Sequence, residues 1–544
     1  MPNLKDSIKK NKKTIIILAI ILFAGIFLRT YKFHDWLRFS KDQSRDARII
    51  SNAALRGDHL PYLGPNAGTT KFRLGPIYYY FSYASEKIFG VYPDKMAYPS
   101  VFFSILSIPL LYFFLKEFFN RKISLAMTAL MSVSYFMIIN SRFSSNPNLI
   151  TFFALLYFYG LLKILNDPKG KYALFWSALA GIGIGVSIQL HTTLLITMPI
   201  MTICIFAYLF FKEKSIKSSA IWKSLLAVIL FSLILNTSQI YSEIDSHGSN
   251  TKLFFKGFAK SSEKDSNLAK SVFLIASCQI QANTHIISSF QDDINCENVF
   301  RSPDPKTENQ VLYYFGMAIT ILFSLIGYFL LWKRFRREKD AKKKNFLGLV
   351  ILFNFLSFII LIPIANIIFV GYFINLFFIP LVLLGIFIEE SQNKFGKIGV
   401  NIAILAVTLL IASSLVRDGF AADRYAKGLE NNSKNSTLGE VELMRDYIFS
   451  SLNGYNHFYF SGHGNALTSR FFAPIEYFSK EAGIKIEGTS LDSSRDDRKI
   501  DKNAPIFYIE ENSVGNNKLG QIREGHVIIS SQKFSSQTIL ILKH

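Results

Sequence analysis

The chain has 544 residues, 50% of them hydrophobic and 15% aromatic, with a mean hydropathy of +0.26. That mixture excludes an ordinary soluble multidomain protein and predicts an integral membrane protein. The formal net charge of +21 does not point to nucleic acid, because the lysines and arginines fall mainly in short linkers between apolar runs. This is the positive-inside pattern of a membrane chain.

A helix crossing the hydrocarbon core needs about 20 mostly apolar residues, and about eleven segments qualify. The first, TIIILAIILFAGIFL (14–28), follows Lys5, Lys9, Lys10, Lys12 and Lys13. It carries no small-residue cleavage site and reads as a retained span with a cytoplasmic N-terminus. A polar stretch (30–97) precedes a second span at 98–115. Further spans are expected at 123–140, 149–163, 172–190, 192–211 and 219–236. After a long polar loop (237–310) come spans at 311–332, 345–363, 367–388 and 398–415. Every strongly basic linker, WKRFRREKDAKKK above all, falls on the side of the N-terminus. The loops 30–97 and 237–310 and the tail 416–544 are therefore expected outside the cytoplasm.

That tail reads as a small α/β domain beside a membrane module spanning 1–415. STLGEVELMRDYIFSSL opens with a capping-box pattern from Thr437 to Glu440, and HFYFSG, APIFYIE, HVIISS and TILIL read as strands. No tandem repeat and no nucleotide loop is present. A transporter would show repeated halves and ionisable groups midway along its spans. Here the spans are nearly free of charge and the polar chemistry lies outside them.

Within the first loop, DQSRDARIISNAAL places Ile49, Ile50, Ala53, Ala54 and Leu55 at roughly helical spacing, as in an interfacial helix lying along the membrane. Asp42 then sits at its N-terminal end, where the helix dipole favours a carboxylate; it is either a plain cap or a catalytic group. In KFRLGPIYYYF (71–81), Gly75 and Pro76 turn the chain back before Tyr78, Tyr79 and Phe81. Lys71 and Arg73 either hold a lipid phosphate or simply snorkel, and Arg142 in SRFSSNPNL poses the same choice. His191 in VSIQLHTTLL is a structural group or a phosphate ligand. Glu243, Asp245 and His247 cluster beyond the seventh span, but no spacing is specific enough for a metal. Neither metal nor cofactor is expected. Cys204 lies in an apolar run, whereas Cys278 and Cys296 share the long loop, where both a disulfide and free thiols are compatible with the sequence.

Four stretches, DQSRDA, LGPNAGTTKFRLGPIYYY, SRFSSNPNLITFF and SQIYSEIDSHGSNTKLF, occur in an order that resembles one known family. The chain resembles the GT-C glycosyltransferases that use lipid-phosphate sugars, specifically the bacterial branch of the dolichyl-phosphate-mannose-protein mannosyltransferases (glycosyltransferase family 39). It is similar, more distantly, to lipid A aminoarabinose transferase. The resemblance implies a polytopic α-helical GT-C fold of about eleven spans and transfer, with inversion, from a polyprenyl-phosphate sugar donor. The acceptor would be a hydroxyl of a protein, glycan or lipid, and the site would face outward among membrane lipids.

The resemblance also implies roles. Asp42 stands where such enzymes place a general base, and Asp46 is its rival. Lys71, Arg73, Arg142 and His191 would bind the donor phosphate. Tyr78, Tyr79, Asn146, Glu243, His247 and Tyr372 would line the substrate groove. Three positions depart from the pattern: Gln43 replaces a common Glu, His191 stands near a common Lys, and Gly371 replaces an Arg or His beside Tyr372. The alternative these departures leave is a lipid-linked sugar binding protein or translocase that retains the fold without the chemistry.

Overall fold

The computed structural model describes residues 4–68, 70–213, 218–263, 267–288, 296, 310–426, 436–462, 465–488, 504–511, 526–534 and 537–543. Helix α1 (Leu4–Thr30) leads to two helices in the first polar stretch, α2 (Lys41–Arg56) and α3 (Ile77–Phe89). A short α4 (Pro93–Met96) precedes α5 (Tyr98–Leu115), and α6 (Arg121–Val133) and α7 (Tyr135–Ile139) follow. The bundle continues through α8 (Ile150–Asn166), α9 (Ala173–Leu190), α10 (Thr192–Lys212) and α11 (Ser219–Leu235). Next come α12 (Thr237–Asp245), α13 (Ser249–Glu263), α14 (Leu268–Ser288), α15 (Gln310–Arg337), α16 (Ala341–Leu361) and α17 (Phe378–Ala426).

Among the described residues, eight helices are long and apolar enough to cross a membrane, or nine if α11 and α12, bent by 68°, form one span. The chain is a multi-pass membrane protein. Two features account for the difference from the eleven expected. The segment at 123–140 is broken at Ser134, whose extended backbone (ψ 120°) ends α6 and whose hydroxyl accepts from the amide of Met137 in α7. The last two segments run on as α17, two helices that meet at a kink at Gly396, whose φ of 54° suits glycine, and so count as one in that tally. The first part of the segment expected at 367–388 is not α-helix: 3₁₀ turns occupy Ile362–Ile367 and Val370–Leu376.

The long loop expected at 237–310 also differs. Its helix α14 packs into the bundle, and its polar face finds partners there. Gln279 donates to Tyr328 and Asn354 (2.7 and 2.6 Å), and Asn283 donates to Ser324 and Tyr328 (3.2 and 3.1 Å). Polar residues that suggested a solvated loop are thus satisfied inside, as buried amides must be. Cys278 on this helix is joined to Cys296 by a disulfide.

Close helix packing rests on small residues. In GIGIG of α9, a Cβ at Gly183 would meet backbone atoms of Phe153 and Tyr157 in α8, while one at Gly181 or Gly185 would meet backbone atoms of α11. Such stripes let helix backbones approach in lipid, where no hydrophobic effect drives association. At the end of α1, buried Arg29 donates to Ser104 in α5 and to the carbonyl of Ser132 in α6 (2.9 and 2.8 Å).

The tail forms α18 (Leu438–Ser450), β1 (His457–Gly462), α19 (Asn465–Glu481), β2 (Lys485–Gly488), β3 (Ile506–Glu511), β4 (Val527–Phe534) and β5 (Gln537–Lys543). The sheet order is β2-β1-β3-β5-β4, with β2 and β3 parallel to β1 and the pairs β3–β5 and β5–β4 antiparallel. Thr437 caps α18 by accepting from the amide of Glu440 (3.2 Å), so the expected helix start is present. All four expected strands form, and KIEG of β2 adds a fifth.

The α9 stripe makes a direct prediction. Gly183→Leu overpacks the α8–α9 contact, a penalty of about 1–3 kcal/mol before the helices separate. Its thermal unfolding in detergent is expected several degrees below wild type. Gly316→Ala, where an added Cβ meets nothing within 4 Å, should leave unfolding unchanged.

Candidate active site

Helix α2 is held from both ends. At its start the side-chain oxygen of Gln43 accepts from the hydroxyl and amide of Ser40 (2.7 and 3.4 Å), while its amide donates to the carbonyl of Ser144 (3.1 Å). Gly57, at φ 76°, ends the helix in the left-handed conformation. Ala47, Ile50, Ala53 and Ala54 are buried, against α3 on one side and α19 on the other. The helix expected to lie along lipid is therefore clasped by protein, with Leu55 left exposed.

Its first turns form one wall of a cavity of about 570 Å³, to which Asp42, Arg45 and Asp46 contribute. Loop 65–74, the segment 140–148, His191 and the 3₁₀ segment from Ile364 to Ile374 supply the other walls. Arg45 links the two carboxylates: it donates to Asp42 (2.9 Å) and to Asp46 (2.9 Å). Asp42 is open, its side chain 72% exposed, whereas Asp46 is 5% exposed and also accepts from the Tyr79 hydroxyl (3.1 Å). Burial pushes the Asp46 carboxyl up to about 6, against the opposing pull of Arg45 and Tyr79.

Of the other expected residues, Asn146, His191 and Tyr372 line the same cavity. The Nδ2 of Asn146 is buried there without a hydrogen-bond partner among the described residues. Burial lowers the His191 pKa to about 4, so the ring is neutral, and Tyr372 meets it edge-on with centroids 5.0 Å apart. Tyr78 stands behind the wall, its hydroxyl 2.7 Å from that of Ser144, and Tyr79 acts through Asp46.

The structure does not bring Lys71, Arg73 or Arg142 to the cavity wall. Arg73 donates to the carbonyls of Gly64 and Leu63 (2.8 and 3.0 Å), bracing its own loop. Arg142 donates to the carbonyls of Leu28, Tyr31 and Lys32 (3.0, 2.7 and 3.2 Å) where α1 ends. Lys71 is exposed. Glu243 lines a second, mostly apolar cleft of about 790 Å³ with Ile188, Leu233, Ile240 and Phe255, and His247 is exposed beyond it. Phe72 and Phe254 border both spaces, their rings 5.0 Å apart.

One cavity residue, Arg38, lay outside the sequence expectation. Arg38, four positions before Asp42, lines the cavity with its guanidinium over the Phe143 ring at 4.9 Å. Its place in WLRFSKDQ, next to the candidate base, was the available signal. Gly371 also lines the cavity, and a Cβ there would meet only the ring of Phe369, an exposed side chain that would have to turn aside. Among the described residues no group of three His, Cys, Asp or Glu side chains is placed to hold a metal.

With that geometry, comparison with known proteins defines the class. Residues 74–236 match the family model of the dolichyl-phosphate-mannose-protein mannosyltransferases. The whole fold is similar to that of ArnT from Cupriavidus metallidurans bound to undecaprenyl phosphate, with 98% of each chain covered, a TM-score of 0.53 and 11% identity. It is similar too to the Archaeoglobus fulgidus oligosaccharyltransferase tethered with an acceptor peptide, covering 88% of this chain and 64% of that one at a TM-score of 0.50 and 13% identity. No curated protein matches the sequence. The chain is a polytopic membrane protein of the GT-C glycosyltransferase fold. Within that fold its segment 74–236 is similar to the mannosyltransferase family model, and its architecture is similar to that of ArnT.

The role of Gln43 is testable without a substrate. A glutamate there cannot donate to the Ser144 carbonyl and would set a carboxylate against it, a loss of about 1–3 kcal/mol. Gln43→Glu is expected to lower the unfolding temperature by several degrees, measured in detergent. A variant as stable as wild type would show that Gln43 does not pin α2.

Proposed function

We propose that the protein is an integral membrane glycosyltransferase that moves a sugar from a polyprenyl-phosphate donor to an acceptor hydroxyl at the outer face of the cytoplasmic membrane. The observation that carries this reading is a polar cavity with two carboxylates and two arginines beside an apolar cleft, at one end of a GT-C bundle. The cleft suits a prenyl chain and the cavity suits a phosphate sugar. The distribution of basic linkers supports an outward-facing position for this end, with the tail domain on the same side.

In the reaction, the acceptor oxygen bonds to the anomeric carbon while its proton passes to Asp42. The bond from that carbon to the phosphate oxygen breaks, and its electron pair leaves with the polyprenyl phosphate. A phosphate leaving group needs no acid, so one carboxylate suffices, and attack opposite the leaving group inverts the configuration. Asp42 is the favoured base because it is open to the cavity with Arg45 as its one partner, whereas Asp46 is buried and held by both Arg45 and Tyr79. Arg38 and Arg45 offer the positive charge on which the leaving phosphate gathers, and they replace Lys71, Arg73 and Arg142 in that role. His191 serves as a neutral donor to the same group, with Asn146 and Tyr372 beside the sugar.

Asp42→Asn should lower release of polyprenyl phosphate from a labelled lipid-sugar donor by about 10²–10⁴-fold while expression is unchanged. Full activity in that variant contradicts the assignment. Binding or movement of the donor with no acceptor-dependent loss of sugar favours a translocase.

The pH dependence follows from Asp46. Below about pH 6 its carboxyl is protonated and its hold on Arg45 weakens, so kcat/KM is expected to rise through about pH 6. Tyr79→Phe removes a hydrogen bond to the ionised form and should move that limb to higher pH. A limb abolished in Asp46→Asn with turnover otherwise lost would transfer the base role to Asp46.

A further inference from the structure

His191 ends α9 and starts α10, and its Nδ1 is engaged twice by one residue. The backbone N–H of Thr193 donates to it (3.3 Å), and the Thr193 hydroxyl lies 2.8 Å away. A backbone amide can only donate, so Nδ1 carries no proton and accepts. The hydroxyl is oriented in turn: the side-chain amide of Asn375 donates to Thr193 Oγ1 (2.8 Å), which leaves the hydroxyl proton for Nδ1. Thr193 and Asn375 are both buried, 4% exposed each, behind the cavity wall.

In a neutral imidazole with Nδ1 accepting, the proton is on Nε2. That nitrogen has no partner among the described residues, and His191 lines the cavity. Asn375 comes from the 3₁₀ segment Val370–Leu376, which also contributes Tyr372 to the cavity, so the relay joins two walls of the site.

We infer that Thr193 and Asn375 are positioning residues that fix His191 with its proton on Nε2, presented as a neutral hydrogen-bond donor to the phosphate of the polyprenyl carrier. This inference rests on the proposed function for the identity of the ligand, but the tautomer itself does not. A neutral donor has a use beside Arg38 and Arg45: it adds a directed contact to the phosphate without a third charge to retain the product.

The test uses the full chain in lipid nanodiscs with its histidines labelled at the ring nitrogens. The His191 signals, one pair among nine histidines, are assigned by their loss in His191→Phe. The expected spectrum has Nε2 protonated and Nδ1 bare, with the Nε2 signal alone shifting on titration with a short-chain polyprenyl phosphate. Thr193→Val should weaken that binding about fivefold, the worth of one neutral hydrogen bond. Thr193→Ser, which keeps the hydroxyl, should bind as wild type does, and Asn375→Leu should follow Thr193→Val.

A wild-type His191 protonated on Nδ1, or on both nitrogens, overturns the inference, as does Thr193→Val binding as tightly as wild type. A protonated Nε2 that responds to polyprenyl phosphate in a protein that transfers no sugar upholds the inference and overturns the proposed activity. A protein that transfers sugar while Nε2 is silent does the reverse.

Discussion

The site depends on a short antiparallel contact between residues nearly 400 positions apart. The amide of Phe39 donates to the carbonyl of Ser436 (2.9 Å), that of Leu438 donates to the carbonyl of Leu37 (2.7 Å), and the Ser436 hydroxyl donates to Phe39 (2.7 Å). Leu37 and Phe39 are fully buried by this contact, and Phe39 packs on the rings of Tyr477 and Phe478. Burying two such side chains is worth about 1.5–3 kcal/mol each. The next residue, Ser40, immediately precedes α2, so the sheet domain sets where Asp42, Arg45 and Asp46 stand. Further ties follow along the same helix: Ser51 to Tyr477 (3.1 Å) and Arg48 to Glu476 (3.7 Å). Between the first loop and α18, His34 bridges Asp94 and Glu442 (3.2 and 3.0 Å). Desolvation opposes charging of this half-exposed ring, but its two carboxylate partners outweigh it and raise its pKa.

Within the cavity, charge is arranged in alternation. Asp42 and Asp46 flank Arg45, and Arg38 adds a second cation. An isolated pair as exposed as Asp42–Arg45 contributes little to stability. Its value here is orientation, since the buried Asp46 end holds the guanidinium while the Asp42 end stays open to a ligand.

Much of this was legible in the sequence, and the parts that were not share a cause. Apolar length located the bundle, and the start of the first-loop helix was expected at Asp42, one residue from Lys41 where it begins. The capping residue Thr437 and four of five strands could be read because each depends on local pattern. Helix α14 could not, because Gln279 and Asn283 look solvated until Tyr328, Ser324 and Asn354 are brought to them. The partners of the basic residues were not legible either: which carbonyls Arg73 and Arg142 grip is a property of the folded loops. Gln43 read as a missing carboxylate, whereas the hydrogen bond its side-chain amide donates to the Ser144 carbonyl gives the position a structural use.

The central claim is that the cavity over the first turn of α2 receives a lipid-linked phosphate. It is tested most directly by photolabelling the protein in nanodiscs with a polyprenyl phosphate analogue reactive at the phosphate end, then mapping the labelled peptides by mass. The account predicts label on peptides containing Arg38 to Asp46, Ser144 to Asn148 and His191, competed away by unlabelled polyprenyl phosphate. Competed label confined to the peptides around Arg73 or Arg142, with none on α2, would contradict it.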